Sequence, residues 1–270
     1  MLKVGIAGFG NVGRRVARAL IAGQVEGVQL VAVSARDLEK ARAAAAAIAP
    51  SLKVVALGEL PALCDVVVEC ATSASFAEIA RTVVTAGKDL LCVSAGGFLN
   101  IPDLAELAQR HGSRVQIASG AMPGLDILRC AAEGTIDKVH HKTRIPPKSL
   151  AHEPYVLEQG FDFRETPPQE PVKVFHGTAY DAAKHFPRHM NVAVSLSLAG
   201  VGFERTTMEL WLDPTVSGAI HCMEVESQDV GLTLISRNIP SSDNPKTSRI
   251  VAPSVLAALR RRVATIGVGS

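Results

Sequence analysis

The sequence predicts an α/β protein: an N-terminal parallel sheet with helices on both faces, followed by a second, mixed α/β domain. Three observations carry this. An apolar run, Val4 to Ala7, enters Gly8, Gly10 and Gly13 directly, and Val16, Ala17, Ala19 and Leu20 then recur at helical spacing. Short apolar strands alternate with helix-prone segments as far as about residue 120. Beyond about residue 130 the strands alternate in polarity and are split by a connection rich in proline.

The first strand, tight turn and helix have the glycine spacing of a Rossmann-type dinucleotide fingerprint. Gly8 permits the turn, Gly10 lets the backbone approach a pyrophosphate, and Gly13 lets helix and strand pack closely. Asn11 and Val12 complete the turn, where the helix offers unpaired N–H groups and the positive end of its dipole to phosphates. Gln29–Ser34 reads as the second strand and Asp37–Ile48 as an alanine-rich helix stopped by Pro50. Residues 52–58 offer a short third strand, and Asp65–Cys70 (DVVVEC) a fourth, with Ala71 just past its end counted among the cofactor contacts. A helix over Ser75–Gly87, a strand over Leu90–Val93, a helix after Pro102 and a strand over Val115–Ala118 complete the domain. Right-handed crossovers then align the strand ends on one edge, where ligands bind.

The domains are 1–120, a dinucleotide-binding domain, and 121–245, a substrate and dimerisation domain. In the second, residues 136–144, 172–180, 206–213, 219–227 and 231–238 read as strands of a sheet expected to be antiparallel and covered on one face. Met190–Ala199 is an apolar helix led in by KHFPRH, and Val251–Val263 a terminal helix.

Composition narrows the function. With 47% apolar and 20% charged residues, the 270-residue chain is a globular protein with a large core. A formal charge of +2 and no basic tract with interleaved aromatics speak against nucleic acid. No run of eighteen apolar residues suggests a membrane span, and the first strand starts at once after Met1, so a cytoplasmic protein is expected. The five cysteines form no C-x-x-C pair and read as reduced thiols, with Cys70, Cys92 and Cys130 assigned to the core.

At the end of the second strand a carboxylate would bind a ribose 2′-hydroxyl, but Ser34 stands there, with Arg36 just beyond. Arg36 can stack on adenine or pair with a 2′-phosphate, so either NAD or NADP fits. None of the eight histidines forms a metal-binding pair, and His140 and His141, adjacent on a strand, point to opposite faces. No metal is expected. By pattern His189 and His221 are the acid/base candidates, each weighed against a structural role. Asn191 caps its helix or reaches a nicotinamide carboxamide, and Lys246, Thr247 and Ser248 either start the last helix or hold a carboxylate.

Together, VGIAGFGNVGRRVA at 4–17, VSAGGF at 93–98, IASGAMPGLDIL at 117–128, FPRHMNVAVSLSLAG at 186–200, GAIHCMEVES at 218–227 and NPKTS at 244–248 resemble the L-aspartate dehydrogenase family along essentially the whole chain. The resemblance implies a Rossmann domain joined to an α/β domain with substrate and dimer contacts, and a C-terminal helix, 246–264, that returns to the first domain. It makes His221 the acid/base residue, and Ala121 and Asn191 contacts to the nicotinamide. It implies oxidative deamination of L-aspartate through iminosuccinate to oxaloacetate and ammonia, by a homodimer. The chain has FPRHMNVA where many relatives have FPxNxNVA, so His189 replaces an asparagine and becomes a candidate substrate contact. A dehydrogenase of another small amino or hydroxy acid, or a non-catalytic NAD(P) sensor, would share the fold.

Overall fold

A computed structural model describes residues 1–122, 124–242, 244 and 247–269. The chain divides into two compact units, 1–120 with 251–268 and 121–250 with 269–270.

The first unit is built on a parallel six-stranded sheet. Its elements are β1 (Leu2–Ala7), α1 (Asn11–Ile21), β2 (Val28–Ser34), α2 (Leu38–Ala46), β3 (Lys53–Val54), α3 (Leu60–Leu63), β4 (Val66–Glu69), α4 (Ser73–Thr85), β5 (Asp89–Cys92), α5 (Leu104–His111) and β6 (Val115–Ile117). The strand order is β3-β2-β1-β4-β5-β6, so the chain reverses direction across the sheet between β1 and β4. Ala7 pairs with Ser34 and Glu69, Glu69 with Cys92, and Cys92 with Ile117, which sets five strand ends in one row. The helical spacing of Val16, Ala17, Ala19 and Leu20 buries one face of α1. That face shares a core with Val4, Ile6, Val66 and Val68 and with Ala252, Val255 and Leu259 of the C-terminal helix (Val251–Val263). Arg262 anchors this helix through Asp89 at 2.6 Å. The opposite face is covered by Phe76, Ile79, Val83, Leu104 and Leu107. The third strand keeps only two of its expected residues. The chain turns instead into a short helical stretch and α3, whose first turn holds Pro61.

The second unit contains α6 (Leu125–Ala132), β7 (Ile136–Ile145), α7 (Pro154–Glu158), β8 (Val172–Thr178), α8 (Ala179–His185), α9 (Asn191–Ala199), β9 (Thr206–Leu212), β10 (Ile220–Ser227) and β11 (Gly231–Arg237). Its sheet runs β11-β10-β7-β9-β8. The pairing is mixed rather than antiparallel, since β7 and β9 run parallel. The long stretch between those strands is enough for the crossover a parallel pair requires. Strand β8 stops at Thr178 because its hydroxyl accepts the Asp181 N–H at 3.1 Å and starts α8, which takes up the first part of KHFPRH. One sheet face packs Met223, Val225, Ile136 and Val139 against Leu128 and Ala131 of α6 and Leu196 of α9. Cys130 lies on the outer side of α6 and is exposed, which removes it from the core. Among the described residues no helix is long and apolar enough to cross a membrane.

Candidate functional site

In the first unit the glycine turn lies at the sheet's reversal point. Gly8 has φ +101°, and a Cβ there would stand 2.5 Å from the Ala71 nitrogen, so the turn lies directly on the peptide that follows β4. A Cβ on Gly13 would collide with the Gly8 carbonyl. At Gly10 a Cβ would enter open space, and Gly10 caps α1 with no side-chain hydrogen bond. Gly10 thus leaves the cap position without a side chain, an opening a pyrophosphate oxygen would suit. Asn11 and Val12 open the helix. Ser34 ends β2, is buried, and accepts the Gly8 N–H through its carbonyl at 2.8 Å. Arg36 is exposed beyond it, while Asp37 caps α2 through the Lys40 N–H at 3.0 Å. The residues present fit a dinucleotide.

Glu69 escaped the sequence reading. Its carboxylate is fully buried and accepts N–H groups from Ala71 at 2.7 Å, Ser94 at 2.9 Å and Val93 at 3.2 Å. Burial pushes its carboxyl up from the ordinary range, and these N–H groups pull it back. A single side chain thus ties the loops after β4 and β5 together beneath the glycine turn. A lone acid at the end of an apolar strand was the available signal.

In the second unit His221 stands on β10 directly opposite Thr143 of β7. His221 Nδ1 lies 3.1 Å from Thr143 Oγ1 and 3.3 Å from His141 Nε2, and the last two atoms are 2.9 Å apart. All three side chains are buried, on the sheet face turned toward the helices. Burial lowers the His221 pKa to about 4 and drives His141 well below the ordinary value, so both rings are neutral at pH 7. His140 points to the other face and meets Thr207 at 2.9 Å.

The remaining candidates are dispersed within this unit. His189 Nε2 lies 3.1 Å from the buried Glu153, which also receives Arg188 at 2.9 Å. The Ala121 carbonyl accepts the Ser236 hydroxyl at 2.8 Å and the Asn238 amide at 3.1 Å. Asn191 is the first residue of α9 and is half-buried. The Thr247 hydroxyl accepts the Asn244 amide at 3.2 Å, and Ser248 bridges to Pro240. These contacts delay the last helix to Val251. Lys246 lies outside the described residues. Among the described residues no three His, Cys, Asp or Glu side chains are grouped to hold a metal ion.

Residues 126–262 match the family model described as aspartate dehydrogenase, C-terminal, and residues 8–118 match the NAD-binding domain of homoserine dehydrogenase. The whole chain aligns at 42% identity with 94% of an L-aspartate dehydrogenase of Bradyrhizobium diazoefficiens. It aligns at 39% with 98% of an L-aspartate dehydrogenase 3 of Bordetella bronchiseptica. The crystal structure of an aspartate dehydrogenase from Thermotoga maritima superposes over all of both chains with a TM-score of 0.77 at 25% identity.

Proposed function

Because the chain belongs to the L-aspartate dehydrogenase family, we propose that it is an NAD(P)-dependent L-aspartate dehydrogenase, converting L-aspartate through iminosuccinate to oxaloacetate and ammonia, reversibly. The observation that carries this is full-length similarity to enzymes of that name, 42% identical in the strongest case quoted.

When bound, the nicotinamide cofactor accepts hydride from the substrate α-carbon. The protein's part begins at the α1 N-terminus, whose N–H groups and Gly10 opening receive the pyrophosphate. Ala71, Ala121 and Asn191 are the further cofactor contacts in this reading. His221, neutral at pH 7, takes a proton from the water that adds to the imine carbon of iminosuccinate. It returns that proton as the resulting carbinolamine expels ammonia. For the two substrate carboxylates, His189, Lys246, Thr247 and Ser248 are the proposed contacts. Ser34 in place of an acid, with Arg36 exposed beside it, admits NADP as well as NAD.

We also assign a homodimer formed through the uncovered face of the second sheet, where Cys222 pairs with the exposed Ile235 and Ile220 is separated from Trp211 by Arg144 alone. Five cysteines with no C-x-x-C spacing among them suit the cytoplasm. The deciding experiment is an anaerobic screen of L-aspartate, D-aspartate and malate with NAD and NADP, following reduced nicotinamide and identifying the product. Turnover of L-aspartate to oxaloacetate is expected. Folded protein that binds cofactor yet leaves L-aspartate unchanged overturns the assignment.

A further inference from the structure

His221 Nδ1, Thr143 Oγ1 and His141 Nε2 form a closed set of three polar atoms, every pair within 3.3 Å. The set is rigidly mounted. Thr143 and His221 are direct partners across β7 and β10, and His141, two residues along β7, points to the same face opposite Met223. The two rings are tilted by 34° with centroids 5.3 Å apart. Across β11 the partner of His221 is Ser236, so its strand neighbours bring it no carboxylate and no cation. Among the described residues His221 Nε2 has no hydrogen-bond partner, and neither has the buried Nδ1 of His141.

The threonine hydroxyl holds one proton, so it donates to at most one of the two ring nitrogens facing it, and a relay through it has the other nitrogen donate to its oxygen. In one arrangement His141 Nε2–H donates to the hydroxyl, the hydroxyl donates to His221 Nδ1, and the His221 proton stands on Nε2. That neutral ring has no lone pair to offer. In the other arrangement every proton is reversed. Resting on the assignment of His221 as the acid/base group, we infer that Thr143 and His141 are positioning residues forming a donor chain, His221 Nδ1–H to Thr143 Oγ–H to His141 Nε2, which leaves the Nε2 lone pair of His221 as the atom that moves the proton. In either arrangement the buried Nδ1 of His141 has no partner among the described residues. With its Nε2 committed as terminal acceptor, His141 carries its own proton on Nδ1 with no acceptor in reach, a local cost placed where the reaction needs a single tautomer. Two neutral rings, both kept so by burial, are what such a chain requires.

Nitrogen-15 spectra of the whole protein at pH 7.5, with His221 and His141 assigned by single substitution, read the tautomers directly. Protonated Nδ1 and bare Nε2 on His221 are expected, and the reverse pattern overturns the inference. In steady-state turnover of L-aspartate, Thr143→Val is expected to lower kcat about tenfold or more with KM for the cofactor unchanged, and Thr143→Ser to restore it. Wild-type kcat in Thr143→Val overturns the positioning role. His221→Ala separates the two layers. Full turnover there overturns the His221 assignment itself, whereas an inactive His221→Ala beside an unaffected Thr143→Val overturns only the donor chain. If Thr143→Val does not fold, the wild-type spectrum alone decides.

Discussion

Glu69 in the first unit and His141 in the second lie equally deep, at 0% and 2% exposure, but their hydrogen bonds end differently. Both oxygens of Glu69 are engaged by backbone N–H groups of the loops after β4 and β5, with the Ser94 side chain joining them. His141 is bonded on one nitrogen only, to side chains, and keeps the other without a partner. A buried acid with both oxygens answered is a clamp: it holds a shape. A buried base half answered by side chains holds a direction of donation. The contrast sets a clamp in the first unit against a half-partnered base in the second, the division that the proposed function uses.

Four measurements break or sharpen that division. The largest effect is expected from His221→Ala, which should lower kcat by about a thousandfold while leaving the cofactor Kd within about twofold of the wild type. A matching loss of cofactor affinity would erase the distinction.

Acid stability comes next, and here the two centres have opposite signs. The His221 pKa is about 4 when folded against 6.5 ordinarily, so the unfolded chain binds a proton that the folded chain refuses. Its contribution is complete above about pH 6.5 and is lost as pH falls toward 4, by up to about 3 kcal/mol. His141 is lowered too and acts in the same direction. Glu69 is raised above 4.5, so its contribution is complete below that value and declines as pH rises. Unfolding followed in denaturant from pH 7 to 4 should therefore show an acid-side loss that shrinks in His221→Asn. Equal slopes in both proteins would remove His221 as its cause.

Third, Glu69→Gln places an amide donor against three N–H groups. It should cost about 2 kcal/mol of stability and weaken cofactor binding about tenfold, with kcat at saturating cofactor preserved. Calorimetric titration showing unchanged Kd would reduce Glu69 to a core residue. The smallest effect belongs to Arg36→Ala, expected to weaken NADP about fivefold and NAD hardly at all, since Arg36 is exposed. Equal losses would leave it only an adenine or structural role.

Much of this molecule is legible in its residues because the signals are local. The glycine spacing at 8–13 describes a turn closed within six residues, and the apolar positions of α1 lie on the face that its period requires. The alternation 139, 141, 143 along β7 likewise says which side chains share a face, and it separates His140 from His141 correctly. Ser34 at the end of β2 is also found where its strand pattern puts it.

What stayed hidden is relational. Nothing around residue 143 announces that it will stand opposite residue 221, because strand register depends on turns and core contacts that involve the whole second sheet. The parallel β7–β9 pairing was missed for the same reason: alternating polarity reports burial, not strand direction. Glu69 looked like one more strand end until β4 and β5 brought two loops around it. By itself, then, the sequence determined a dinucleotide turn and the division into two units. Only the tertiary structure decided that Glu69 clamps the first unit's loops and that Thr143 and His141 face His221, because partners far apart in the chain are chosen by packing rather than by spacing.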